Sequence, residues 1–251
     1  MPVVHGDPAA RRWLRWGLPR AVRLRACRTV DGARTLLHQV VPDAVVVDVA
    51  DGALEPALAL AAAYPRVPVF AYSAFRPGDG GLLDRCRRGL AGVLVAGVDD
   101  PAAGELVARR SAGRVREREL AEAPRLLRLT EPIQRRAWLE VLARVDAHPT
   151  TTDIARALRR SREHLSREFA AGGAPNLKRV IDLARVACAA DLLGNPGYQA
   201  GTVAAILGFS SGGHFAAAAR RIAGAAPAEL GRLGPRGVLQ RFFRGRTRSR
   251  L

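Results

Sequence analysis

The stretch that decides the fold is Ile154-Ala155-Arg156-Ala157-Leu158-Arg159-Arg160-Ser161, followed at once by Arg162-Glu163-His164-Leu165-Ser166-Arg167-Glu168-Phe169. A second copy reads Val203-Ala204-Ala205-Ile206-Leu207-Gly208-Phe209-Ser210-Ser211, then Gly212-Gly213-His214-Phe215. Each copy predicts a short helix, a tight turn and a second helix. The paired apolar-Ala residues pack the first helix into a core. Leu165 and Phe169 are one helical turn apart, so they anchor the second helix on one face. Arg162, Glu163, Ser166 and Arg167 then point outward. Leu165 follows Ile154 by 11 residues, whereas Phe215 follows Val203 by 12.

Between the copies the pattern predicts one long amphipathic helix over about 176–194, which sets the spacing of the two units. Thr150, with Asp153 three residues on, resembles a capping box for the first short helix. From Pro132 onward everything reads as helix. Breaks fall at His148-Pro149, 172–175, Asn195-Pro196-Gly197 and Gly208-Phe209.

These residues resemble the DNA-binding domain of the AraC/XylS family, over about a hundred residues. The matching positions are Ile154-Ala155 through Leu165-Ser166-Arg167 and Phe169. Then come Arg185-Val186, Ala189 and Leu192-Leu193 in the middle helix. Gly208-Phe209-Ser210-Ser211, Phe215, Gly224 and Pro227 complete the series. The resemblance implies an all-α domain with two helix-turn-helix units joined by a long helix, and double-stranded DNA as the partner. Second helices of this kind lie in the major groove. The implied contacts are Arg162, Glu163, His164, Ser166 and Arg167 in the first unit. In the second they are Ser210, Ser211, Gly212, Gly213, Arg220 and Arg221.

The second unit departs from the family pattern. Gly212 and Gly213 open its recognition helix, and Ala216-Ala217-Ala218-Ala219 follow where polar residues and a second Phe are usual. Alanines read no base edge by hydrogen bonding. The paired glycines weaken the helix by roughly 1 kcal/mol each relative to Ala. The first unit is therefore expected to dominate base readout, with Arg220 and Arg221 on phosphate. His164 and His214 read as turn or surface residues, not metal ligands. Arg185 reads as an internal salt-bridge residue.

The first 110 residues have a different texture. Strand patterns at Pro2–Val4, 22–25, 44–47, 67–72 and Gly92–Val95 alternate with helix patterns at 9–17, 32–40, 54–64, 82–90 and 101–110. Such alternation predicts a doubly wound α/β domain with a parallel sheet. The first strand starts at the second residue, so a start codon further upstream would lengthen it.

This half resembles the receiver domain of response regulators, a flavodoxin-like fold. Pro42-Asp43-Ala44-Val45-Val46-Val47-Asp48 matches the strand leading to the phosphoacceptor, which places Asp48 there. Val67-Pro68-Val69-Phe70-Ala71-Tyr72-Ser73-Ala74 and Gly89-Leu90-Ala91-Gly92-Val93-Leu94-Val95-Ala96 match the next two strands. Phosphoryl transfer to a carboxylate needs Mg²⁺ with oxygen ligands and a cation at the phosphoryl oxygens. His5-Gly6 stands where the family has its acidic pair, with Asp7 just beyond, and Ala96 where it has a lysine. The expectation is a pseudo-receiver that serves as a dimerisation or partner-binding module.

The chain carries 40 Lys and Arg against 23 Asp and Glu, a formal net charge of +17, with Lys178 its only lysine. Such a potential draws polyanions, nucleic acid first and anionic membrane second. Arg forks onto phosphate or guanine, which favours nucleic acid. A coding bias toward G and C explains Arg in place of Lys but not the surplus of cations. With 48% hydrophobic residues the chain is not a disordered one. Its apolar runs are too short and interrupted to span a membrane. The N-terminus lacks a signal-peptide layout. Cys27, Cys86 and Cys188 are far apart and form no metal-ligand cluster, which suits a reducing cytoplasm. No cofactor is expected. No nucleophile-base pair or phosphate-binding glycine loop points to an enzyme; Gly78-Asp79-Gly80-Gly81 is a loop without a motif.

The expected division is a pseudo-receiver over 1–112, a helical linker over 113–131 that extends the preceding helix, a DNA-binding domain over 132–235 and a disordered basic tail over 236–251. The leading functional expectation is a sequence-specific transcription regulator, with a homodimer or protein partner engaged through the receiver-like half. The alternatives are an adaptor with mainly non-specific DNA affinity and a response regulator phosphorylated on Asp48.

Overall fold

The computed structural model describes residues 1–20, 22–170 and 173–248. Expected features at 171–172 and 249–251, including the end of the basic tail, lie outside the described residues. The chain forms two compact units. The first is Met1–Val115 with Asn195–Gly197, and the second is Arg116–Gly194 with Tyr198–Leu251.

The first unit alternates strand and helix: β1 (Pro2–Val4), α1 (Pro8–Gly17), β2 (Arg25–Cys27), α2 (Val30–Leu37), β3 (Val45–Val47), α3 (Leu54–Ala63), β4 (Val69–Ser73), α4 (Gly80–Gly89), β5 (Gly92–Val95) and α5 (Ala103–Arg109). The five strands make one sheet in the order β2-β1-β3-β4-β5, and all pairs are parallel. This is the doubly wound architecture, consistent with a flavodoxin-like domain.

The triple valine of β3 is buried on both faces, as a central strand requires. On one face Val3, Val46, Phe70, Tyr72 and Leu94 pack with Leu14 of α1 and with Ala103 and Val107 of α5. Asp7 caps α1 by accepting from Ala9 N at 2.8 Å, and Pro8 opens the helix. The helices α1 and α5 meet through glycine: a Cβ on Gly104 would lie 2.3 Å from Leu14 O.

Several boundaries differ by a few residues from the sequence expectation, and two of the differences bear on the architecture. β2 lies at Arg25–Cys27, not 22–25, because its register is set by pairing Pro2 with Arg25 and Val4 with Cys27. The linker does not extend α5. That helix ends at Arg109, and a separate α6 (Ala112–Glu119) follows. Its start is pinned where Ala112 N donates to Asp43 O at 2.7 Å.

The second unit is helical: α7 (Ala123–Leu126), α8 (Pro132–Ala143), α9 (Thr151–Ala157), α10 (Arg162–Ala170), α11 (Leu177–Leu193), α12 (Ala200–Ile206), α13 (Gly212–Ala223) and α14 (Pro227–Arg248) follow the last residues of α6. α11 is the axis. It begins at the Asn176 cap and buries twelve of its side chains, many of them Ala, which lets neighbours approach closely. α8, α9, α10, α12, α13 and α14 all pack on it.

Residues 236–248 are helical, where a disordered tail was expected. Val238, Leu239 and Phe242 are buried. Their i, i+1, i+4 spacing makes an apolar stripe that offsets the like-charge repulsion of the arginines around it. A break at Gly234, φ 62°, ahead of Pro235 lets the chain turn into this segment.

Candidate nucleic-acid interface

The two copies share their backbone as well as their sequence pattern. In the first, Leu158 N donates to Ile154 O and Arg160 N to Ala155 O. In the second, Leu207 N donates to Val203 O and Phe209 N to Ala204 O. The turn residue is left-handed in both: Arg159 at φ 54° and Gly208 at φ 66°. Ser161 and Ser211 then cap the second helices, each accepting from the amide three residues on, His164 at 3.1 Å and His214 at 3.0 Å. The extra residue of the second copy therefore lies inside the turn. One residue, Arg160, separates the left-handed position from the cap in the first copy. Phe209 and Ser210 separate them in the second.

Arg159 occupies backbone that suits glycine. The left-handed conformation costs an L-residue about 1–2 kcal/mol, part of which glycine returns through its freer unfolded chain. Arg159→Gly is expected to stabilise the protein by about 0.5–1 kcal/mol, measured as a higher Tm at unchanged secondary structure. A lower Tm would mean that the Arg159 side chain stabilises the turn. At Gly208 the constraint is steric too, because a Cβ there would lie 2.5 Å from the His148 ring.

The first helix of the first copy is held by the expected capping box. Asp153 N donates to Thr150 Oγ1 at 3.2 Å, and Thr150 N donates to Asp153 Oδ2 at 3.0 Å. The Thr150 hydroxyl and amide hold the Asp153 carboxyl below its ordinary pKa. A depressed carboxyl pKa contributes stability above its unfolded value and loses it as pH falls through the folded one.

In α10, Leu165 and Phe169 are fully buried, and Arg162, Glu163, Ser166 and Arg167 are exposed. The helix thus turns one apolar edge inward and presents an unbroken polar face. His164 is half-buried beside Glu168, at 3.8 Å. In α13, Phe215 is the buried anchor and Ser210, Ser211, Gly212 and Gly213 are exposed at its start. Ser210 Oγ lies 3.0 Å from His214 Nδ1. A Cβ on Gly212 would meet nothing within 4 Å, and one on Gly213 only Ser211 Oγ at 3.8 Å. Packing therefore does not demand glycine at either position, and the bare start of α13 leaves its backbone open to close approach. Arg220 and Arg221 sit on the last turn of α13, away from Ser210–Gly213 along the chain, and Arg221 pairs with Asp182 at 2.8 Å.

Arg185 forms no ion pair among the described residues, where a salt bridge was expected. Its NH2 donates to Leu207 O at 2.8 Å, which caps α12, and its guanidinium lies 4.1 Å from the centre of the Phe209 ring. Burial pushes its pKa below the ordinary arginine value. It ties α11 to the second turn through a carbonyl and a ring face, contacts that a point-charge lysine would not reproduce.

In the first unit Asp48 follows β3, at the C-terminal end of the strands. Its Oδ1 accepts from Ser73 Oγ at 2.6 Å and from Ala50 N at 3.2 Å. It lines a cleft of about 760 Å³ with His5, Arg11, Cys27, Asp31 and Asp51. Asp7 is engaged as the α1 cap, and Arg11 donates to the carbonyls of His5 and Gly6 at 2.5 and 3.3 Å. Asp7 N donates to His5 Nδ1, which leaves the ring proton on Nε2, a buried atom without a partner. Among the described residues no group of three His, Cys, Asp or Glu could hold a metal ion. No helix among them is long and apolar enough to cross a membrane.

A family model described as a helix-turn-helix domain matches residues 154–232, which span both copies and α11. The match supports a DNA-binding domain of the AraC type over that segment. No curated protein and no solved structure matches the chain.

Proposed function

We propose that the chain is a sequence-specific transcription regulator of the AraC type, not an enzyme, which works in the cytoplasm on double-stranded DNA. Residues 132–235 hold the DNA, residues 113–131 connect, and residues 1–112 are a receiver-like domain that exerts control without phosphoryl chemistry. The observation that carries the reading is the repeated turn. Two helix-turn-helix units with matching hydrogen bonds pack on one axial helix, and α10 keeps an exposed face of Arg162, Glu163, Ser166 and Arg167. Arg162 and Arg167 read base edges. Ser210–Gly213 approach the DNA through backbone and short side chains, and Arg220 with Arg221 meets phosphate.

Control without phosphoryl chemistry rests on the engagement of Asp7 and Arg11 in local hydrogen bonds and on Ala96 at the expected lysine position. The receiver-like domain then acts by contact with a second copy or another protein.

Selection of bound sequences from random duplexes at physiological salt tests the reading. The expected product is a motif with two half-sites about 10 base pairs apart, one helical turn. Recovery of no motif would overturn sequence specificity and favour the adaptor. Acetyl phosphate is expected to add no mass to the protein. A phosphoryl mass increment that disappears in Asp48→Asn would restore Asp48 as a phosphoacceptor.

A further inference from the structure

The last segment of α14, from Pro235 onward, lies beyond the matched residues 154–232, and it builds a site that the matched domain alone does not have. Val238, Leu239 and Phe242 are buried, and α14 packs along α11 and α13. This seating brings Arg241 and Arg244 to the same cleft as Arg179 of α11 and Arg220 and Arg221 of α13. The cleft is about 440 Å³, and Ile222, Ala223, Gly224, Phe242 and Gly245 complete its wall. No carboxylate lines it.

Five guanidiniums converge there with few obligations to the protein. Arg221 donates to Asp182 Oδ2 at 2.8 Å, and Arg179 lies 5.2 Å from the centre of the Phe242 ring. The Arg220, Arg241 and Arg244 side chains are exposed and take part in none of the side-chain hydrogen bonds or ion pairs among the described residues. Like charges that line one cleft repel one another, and an anion that accepts from several of them at once relieves the repulsion. Phosphate oxygens match that demand, since a guanidinium donates two parallel N–H groups to one phosphate. The carbonyl end of α13 also faces this region through its Gly224 cap, and such an end favours fixed cations.

We infer that this arginine cleft binds the phosphate groups of a polyanion. Two sources carry that chemistry: the backbone of a duplex held by α10 and α13, and a free polyphosphate. The first source rests on the reading of the protein as a DNA-binding regulator; the second does not.

The test uses the full chain and the double variant Arg241→Gln/Arg244→Gln, which leaves Val238, Leu239 and Phe242 in place. Far-UV circular dichroism checks that it folds, and Arg220→Gln on the opposite wall serves as an independent second variant. In the first arm, duplex affinity is measured against salt concentration. Loss of two phosphate contacts lowers the slope of log K against log salt by about 1.8, at about 0.9 per contact, alike on selected and scrambled duplexes. In the second arm, sodium tripolyphosphate at constant ionic strength raises the Tm of the wild type and not of the variant. A lowered slope assigns the cleft to the DNA backbone. An unchanged slope with a tripolyphosphate shift assigns it to a free polyphosphate. An unchanged slope and no shift overturns the inference while the protein still binds DNA. If the wild type binds no duplex, the DNA-binding reading itself fails, and the tripolyphosphate arm decides the cleft alone.

Discussion

Arg116→Ala is expected to lower stability by about 3–5 kcal/mol, the cost of leaving one partner of a buried ion pair behind. Arg116 NH1 lies 2.8 Å from Asp191 Oδ2, and the two side chains are 8% and 10% exposed. The Cys188 thiol sits 3.4 Å from the same nitrogen. Arg116 belongs to α6 and Asp191 to α11, so the pair joins the start of the second unit to its axial helix. Removing the guanidinium takes a charge-assisted hydrogen bond from a carboxylate that is only 10% exposed on α11, and burial makes that loss costly. Asp191→Ala should cost a similar amount for the converse reason.

The apolar double replacement Arg116→Met/Asp191→Leu should recover most of the loss, because desolvating two charges offsets much of what their attraction contributes. Urea unfolding of the two single variants and the double one measures the cycle. Single-variant losses below about 1 kcal/mol would place the pair with ordinary surface ion pairs and sink the argument. DNA affinity per folded molecule should stay near that of the wild type, since neither residue is exposed.

The second large effect concerns recognition. Arg162→Ala and Arg167→Ala should each weaken binding to the selected duplex by about 1–3 kcal/mol and relax the preference at one or two base pairs. That is roughly 5- to 150-fold in Kd. Both side chains are exposed on α10, and the buried anchors Leu165 and Phe169 are untouched, so folding should be intact. On a scrambled duplex the loss should be smaller, because a base contact contributes little without its base. Equal loss on both duplexes would reassign the residue to phosphate. Substitutions at Ala216 or Ala217 should move specificity far less, because no hydrogen-bonding side chain is lost there.

Much of this architecture could be read along the chain. The turn at Leu158–Arg160 and its repeat at Leu207–Phe209 were legible as tight turns because a short helix with paired apolar-Ala residues leading into a second, anchored helix is a local pattern; their left-handed backbone came from the structure. The burial of Leu165 and Phe169 followed from helical spacing, and that of Phe215 from its place in the second copy. The central strand at Val45–Val47 declared itself by three β-branched residues in a row. Strand edges moved elsewhere in the sheet, as at β2, where pairing with β1 overrode the local run 22–25.

Three features were not legible, each because it depends on a distant residue. Arg116 sits in a run of alternating charge that reads as solvated, and nothing nearby shows that Asp191, 75 residues on, will bury it. Arg185 has Asp182 one turn away, so a salt bridge is the natural reading; the ring of Phe209 and the carbonyl of Leu207 captured it instead. The C-terminal arginines outweighed the short stripe of Val238, Leu239 and Phe242. That stripe has helical period, but only a groove beside α11 and α13 makes its burial favourable. Sequence by itself thus determined most of the elements, the repeat and the face of α10 turned outward, all set by contacts within a turn or two of the chain. Tertiary structure decided which charges are buried, which are gathered into a cleft and whether the C-terminal segment folds, because those outcomes rest on packing and desolvation between residues far apart in sequence.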